Sequence, residues 1–241
     1  MAQVDEQPPW KPMTAIITII AAIFLLVIIG SLAAESLFQP GIIPVYGWSI
    51  GAGLIALLVW QTRARDRAAL RLGAPTTPLL LIMFIAFGAA VAIDVIGLAL
   101  TGQFTAHPEL LLVSTLGARA LSVGALLPSI AFVVILQPIA EGLLFSGVTQ
   151  PALRAALGGW AGLFVTALLF GVFHFLAYTP TFYFTGGVVT APYYWHGLGA
   201  PLLAGLVFGA VRILTGSTRA AIAAQIAFGL FALLKLLVVI T

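Results

Sequence analysis

Three residues in long apolar stretches could carry chemistry: Asp94, Glu141 and His174. An acid at the centre of a membrane helix costs roughly 2.5–3.5 kcal/mol on insertion scales, so each such group needs a reason to be there. A carboxylate facing an imidazole could polarise a water for attack on a carbonyl carbon. The same two groups could also do no more than hydrogen-bond and tie two helices together. Glu141 sits in Gln137-Pro138-Ile139-Ala140-Glu141-Gly142-Leu143-Leu144-Phe145-Ser146-Gly147, and His174 ends Phe170-Gly171-Val172-Phe173-His174. The midpoint between them falls on Gly158-Gly159, a natural turn, so an antiparallel hairpin carries both to one depth, roughly 25 Å from the turn at 1.5 Å per residue.

Other residues enter this picture with alternatives open. Pro138 removes a backbone donor, so the helix kinks or restarts there. A restart would put Glu141 in a first turn, where the helix dipole favours a carboxylate. Asp94 is expected at a depth similar to Glu141, where it could orient His174 or act as a third ligand; the alternative is a carboxylate at the outer interface. His107 and His196 fall in loop-like segments and are expected to be solvated. A metal site is poorly supported, because one His and one Glu fall short of the usual three protein ligands of zinc. No cofactor is expected on firm grounds, with zinc or another divalent metal as the candidate if one binds.

The elements that must position these groups are all helices. The 241-residue chain is 62% hydrophobic and 7% charged, with a mean hydropathy of +1.18. Soluble domains carry about a quarter charged residues. The apolar runs are too long and continuous for barrel strands, so the expected fold is all-α, a polytopic membrane bundle with about seven spans. The spans are expected at 13–34, 43–61, 78–100, 122–150, 157–178, 198–214 and 219–240. Residues 1–121 form an N-terminal set of spans with an interfacial segment, and 122–241 form the membrane core. Within the first part, 102–121 reads as a loop followed by an interfacial amphipathic helix. The stretch 179–197, with Phe182, Tyr183, Phe184, Tyr193, Tyr194 and Trp195, reads as an aromatic surface loop or half-embedded cap. No internal repeat suggests a transporter of duplicated halves.

Charge placement supports this layout. Arg63, Arg65, Arg67 and Arg71 cluster between the second and third spans, which the positive-inside rule assigns to the cytoplasm together with the N-terminus. Arg154, Arg212 and Arg219 then fall in or beside cytoplasmic turns, and only Arg119 and Lys235 lie elsewhere. The expected setting is a prokaryotic cytoplasmic membrane. The basic residues form no aromatic-basic surface, so the net charge of +3 is a topology signal and nucleic acid is not an expected partner. Lipid, and a membrane protein or peptide, are. The chain has no cysteine, which excludes thiolate catalysis and Cys-based metal sites. Residues 14–34 are longer than a usual signal-peptide core and follow Asp5 and Glu6, so they are expected to be an uncleaved span anchored by Trp10 and Lys11.

The order Pro-x-x-Glu-x-Leu-Leu-Phe-x-Gly around Glu141, then Leu-Phe-Gly-x-x-His ending at His174, then a Gly-rich hairpin into the last helix, resembles the CPBP family. That group comprises type II CAAX prenyl endopeptidases and bacteriocin-processing or immunity-associated membrane proteases. The resemblance covers roughly 125–235. It implies hydrolysis of a peptide bond in a membrane cavity, with Glu141 and His174 activating water and Phe170 completing the FxxxH motif. The family pattern EExxxR, FxxxH, HxxxN/D is only partly present. Gly142 stands for the second Glu and Ser146 for the Arg; Gln225 replaces the last His and Gly229 the Asn or Asp. Gly142 and Ser146 form a small-xxx-small pair suited to close packing. Gln225 could donate a hydrogen bond to an oxyanion. Its expected depth is only about 12 Å, so either the last helix begins deeper in the bundle or Gln225 stays outside the site. The readings that follow are a CPBP-like endopeptidase of membrane-associated or prenylated substrates, an inactive relative serving as scaffold, partner-binding or immunity protein, and a small transporter using Asp94, Glu141 and His174.

Overall fold

The computed structural model describes residues 8–36, 43–61, 64–179 and 191–241. Arg63 and the aromatic residues Phe182, Tyr183 and Phe184 lie outside the described residues. The described chain forms eight helices and no strand. These are α1 (Pro12–Ser36), α2 (Ile43–Trp60), α3 (Leu79–Thr101), α4 (Pro108–Ser114), α5 (Val123–Leu157), α6 (Gly159–Tyr178), α7 (Ala191–Thr215) and α8 (Thr218–Ile240). Six are long and apolar enough to cross a membrane, and α2 is a shorter apolar helix over Pro44–Trp60. Large apolar side chains such as Leu80, Phe84, Trp160 and Leu214 project outward. A hydrocarbon solvent imposes no penalty on such a surface, and helices satisfy every backbone group internally. The molecule is a polytopic membrane bundle.

Helix α5 is the axis of the assembly, with α2 and α8 packed along it and α6 folded back on its C-terminal half. It neither stops nor restarts at Pro138. Instead the helix widens into π-type turns at Ala131–Leu136 and Gly142–Thr149, which flank Gln137–Glu141. The wide turns absorb the missing proline donor and the clash of its ring with the preceding turn. Thr149 Oγ1 donates to the Leu144 carbonyl five residues back, at 2.8 Å, in register with the widened turn. Glu141 is thus in mid-helix rather than at a helix start. The turn into α6 is made at Gly158, whose φ of +88° and ψ of 168° belong to a region open essentially to glycine alone.

Two other differences from the expected layout matter for the site. In the segment 102–121, where an interfacial amphipathic helix is expected from the sequence, α4 buries Pro108, Glu109, Leu110 and Val113 and packs on α8, and a 3₁₀ turn follows at Gly117–Leu121. The sixth expected span, helix α7, begins at Ala191 rather than 198, with a π-type turn at Trp195–Gly199, so Tyr193, Tyr194, Trp195 and His196 are helical. Helix α8 starts inside the bundle. Thr218 is fully buried, its N–H donates to the Arg71 carbonyl at 3.0 Å, and Ser217 Oγ donates to the Gly73 carbonyl at 2.8 Å. The connection before α3 therefore tucks beneath the α7–α8 turn and sets the depth of everything on α8.

Candidate active site

Folding α6 back along α5 brings Glu141 and His174 into direct contact, with His174 Nε2 3.1 Å from Glu141 Oε2. The hairpin geometry expected from Gly158-Gly159 is the geometry observed. The other ring nitrogen meets a residue that sequence reasoning missed: His174 Nδ1 lies 2.9 Å from Glu109 Oε1. Gln137, one turn before Glu141, binds the two acids together through its amide nitrogen, 3.2 Å from Glu109 Oε1 and 3.1 Å from Glu141 Oε1. All four side chains are buried.

Both imidazole nitrogens face carboxylate oxygens. Hydrogen bonding is satisfied by an imidazolium between two carboxylates, or by a neutral ring with the proton on one carboxyl group. In either form one proton is shared among three groups, and the trio carries one net negative charge. That proton is the resource an acid–base site needs. Glu109, on the short helix α4 outside the spanning segments, is firmly ionised: burial alone would raise its pKa, but the hydrogen bond and charge of His174 outweigh that and hold it at about 2. Phe170 lies one turn before His174 and packs on its ring at 4.5 Å between centroids, while Tyr178 meets the ring edge at 5.1 Å. The FxxxH spacing is therefore that of i,i+4 neighbours on one helix face, the phenyl ring fixing the imidazole.

These groups open on a cavity of about 80 Å³, enough for several waters or a small side chain. Gln225 lines it too, so the deep start of α8 resolves the depth conflict in favour of its joining the site. Both atoms of its amide are buried without a hydrogen-bond partner among the described residues. Asp94 also lines the cavity, yet it makes no ion pair with His174. It is buried and paired with Lys235 of α8, which explains why that lysine falls outside the topological charge pattern. His107 and His196, expected to be solvated, line the cavity as well, with their Nε2 atoms sealed from solvent.

The positions where the family motifs are broken have a packing explanation. A Cβ at Gly142 would come within 2.3 Å of Ile222 Cγ1, so α8 lies directly against this face of α5. At Ser146 the main-chain carbonyl accepts from Arg212 Nε at 3.3 Å and from Thr218 Oγ1 at 3.4 Å. The buried cation beside this turn thus comes from α7. A Cβ at Gly229 would lie 2.1 Å from the Val133 carbonyl oxygen and 2.9 Å from its carbon. These are backbone atoms of α5, and no side chain fits at 229 while the helices keep this approach.

Two residues of the site escaped the sequence reading. Gln137 could have been found from its i,i+4 spacing to Glu141. Glu109 left only a faint signal, an acid after Pro108 and before an apolar run in a segment that looked interfacial. Among the described residues, no group of three or more His, Asp or Glu side chains is arranged to hold a metal ion. Within the trio, both nitrogens of His174 are engaged with carboxylates.

A family model described as type II CAAX prenyl endopeptidase Rce1-like matches residues 123–231. No curated protein and no solved structure matches the chain. The matched segment runs from the start of α5 into α8 and contains Glu141, His174 and Gln225. The core of this membrane bundle is similar to a type II CAAX prenyl endopeptidase Rce1-like domain, a match that supports assignment to the CPBP family.

Proposed function

We propose that the chain is an intramembrane endopeptidase that hydrolyses a peptide bond of a membrane-associated substrate in the cavity bounded by Glu141, His174 and Gln225. The observation that carries this reading is the second carboxylate on His174. The family's paired acid is missing at Gly142, yet Glu109 restores a two-acid, one-histidine set from a different helix. Glu141 takes a proton from water as the water oxygen bonds to the carbonyl carbon. Gln225 donates its unpartnered amide N–H to the resulting oxyanion. Collapse of the tetrahedral intermediate breaks the C–N bond, and the proton held by the Glu141–His174 pair passes to the leaving amine. Glu109 and Gln137 hold His174 and Glu141 in register throughout. The same reading puts the N-terminus and the arginine-rich connection before α3 on the cytoplasmic face of a prokaryotic membrane. Single introduced cysteines, in a chain that has none of its own, test that by sidedness of labelling.

The test of activity is cleavage of a panel of prenylated and unmodified membrane peptides by purified protein, beside Glu141→Ala and His174→Ala variants. Cleavage lost in both variants supports the enzyme. The closed position at Gly229 favours the other reading, an inactive relative that binds a membrane partner. No cleavage by the wild type, with the same copurifying partners in both variants, supports that reading instead.

A further inference from the structure

Two lining residues take no part in the reaction proposed above: His107, from the connection before α4, and His196, from the π-type turn of α7. Their rings lie 6.2 Å apart, and His196 is about 95% buried, being 5% exposed. The Nε2 atom of each is sealed from solvent and has no hydrogen-bond partner among the described residues. A buried, unpartnered polar atom costs about 1–3 kcal/mol, and a turn of a cavity-lining ring onto a bound polar group relieves that cost.

We propose that His107 and His196 form a substrate subsite that hydrogen-bonds a backbone peptide group of the substrate beside the scissile bond. The proposal rests on the endopeptidase reading and names how the substrate is held. Three features select an uncharged peptide group. Nε2 of a neutral imidazole donates in one tautomer and accepts in the other, and a peptide group offers both a carbonyl and an N–H. No lysine or arginine lines the cavity among the described residues, and Lys235 is paired with the lining residue Asp94, so no spare positive charge awaits an anion there. Glu109 and Glu141 together outweigh the single His174, so the cavity as a whole repels a carboxylate. Much of the remaining wall is apolar, with Ala90, Ile93, Ala204 and Phe228 among its residues, and suits a small apolar side chain beside the peptide group.

The chain has three histidines, so ¹⁵N-histidine spectra of the full-length protein in micelles can be assigned with His107→Gln and His196→Gln. The probe is the blocked tripeptide acetyl-Leu-Ala-Ala-amide, beside the same peptide with a free carboxylate. Both are titrated into the Glu141→Gln protein, which holds substrate uncleaved. The blocked peptide is expected to move the Nε2 resonances of His107 and His196. Its Kd is expected to rise about tenfold in Glu141→Gln/His107→Ala and in Glu141→Gln/His196→Ala, and to stay within about threefold in the Gln versions, which keep a hydrogen-bonding group. Binding that leaves both resonances and all these affinities unchanged overturns the subsite while leaving the protease reading intact. Tighter binding of the free carboxylate overturns the choice of an uncharged group. No binding of either peptide, together with no cleavage by the wild type, overturns both readings.

Discussion

Glu109 is the residue on which the site's chemistry can be tested most cleanly, because replacing it separates folding from catalysis. Glu109 accepts from His174 Nδ1 at 2.9 Å and from Gln137 at 3.2 Å, in a buried setting. Glu109→Gln is nearly isosteric and leaves one carboxylate against one imidazole, so it removes net charge from the bundle rather than stranding it. The stability cost is then that of one weakened hydrogen bond, about 1 kcal/mol. Glu109→Ala removes the partner altogether and leaves His174 Nδ1 and Gln137 short of an acceptor, which costs about 3–5 kcal/mol. On the proposed endopeptidase reading the two variants converge in catalysis. Without a second carboxylate, His174 is no longer fixed or matched in basicity, and kcat is expected to fall about 10²–10³-fold, within the range of acid–base contributions. KM is expected to change little, since Glu109 holds the catalytic pair rather than the substrate. The assay pairs a fluorogenic membrane peptide with thermal unfolding followed by intrinsic fluorescence of the five tryptophans. A folded Glu109→Gln protein with wild-type kcat would refute the assignment of Glu109 to the site.

Other consequences follow from the same packing. Gly229→Asn restores the family residue in name only: with the Val133 carbonyl 2.1 Å from the new Cβ, it is expected to lose about 1–3 kcal/mol and regain no activity, and an unchanged melting temperature would contradict this. Lys235→Met strands the Asp94 carboxylate and should destabilise by about 3–5 kcal/mol, whereas Lys235→Met with Asp94→Leu should return most of it; a double variant as unstable as the single would refute the ion-pair account. Burial pushes the His107 imidazole below its ordinary 6.5, against the opposing pull of Glu109. The unfolded chain therefore takes up the proton first: the contribution of neutral His107 to stability is complete above pH 6.5 and is lost as pH falls toward the folded value. The slope of melting temperature against pH just below that point should flatten in His107→Gln, and an identical slope would count against a neutral buried ring.

Much of this protein was legible as sequence because a bilayer simplifies the problem. Apolar runs of about 20 residues have one stable outcome, and the expected span ends fall within two residues of the observed helices except at the end of α5 (157, not 150) and the start of α7 (191, not 198). The pairing of Glu141 with His174 was equally readable, since a hairpin with its turn at Gly158 and constant rise per residue admits one register. The resemblance to the CPBP family followed from local motifs on α5 and α6. What escaped was set by contacts between elements remote in sequence. Glu109 joins His174 only because α4 tucks inward against α8, a choice that seven residues of amphipathic sequence do not reveal. Gln225 reaches the site because the connection before α3 holds the start of α8 inside the bundle, through Thr218 and Arg71, at a depth that counting from the turn underestimates. His107, His196 and Asp94 face the cavity for the same reason: which wall a polar group points to is decided by the neighbouring helices. Sequence alone determined the helices, the hairpin and the pair at its centre. Tertiary packing decided the second carboxylate, the amide opposite it and the shape of the cavity, because in lipid the direction of a side chain is set by helix–helix contacts that no single helix encodes.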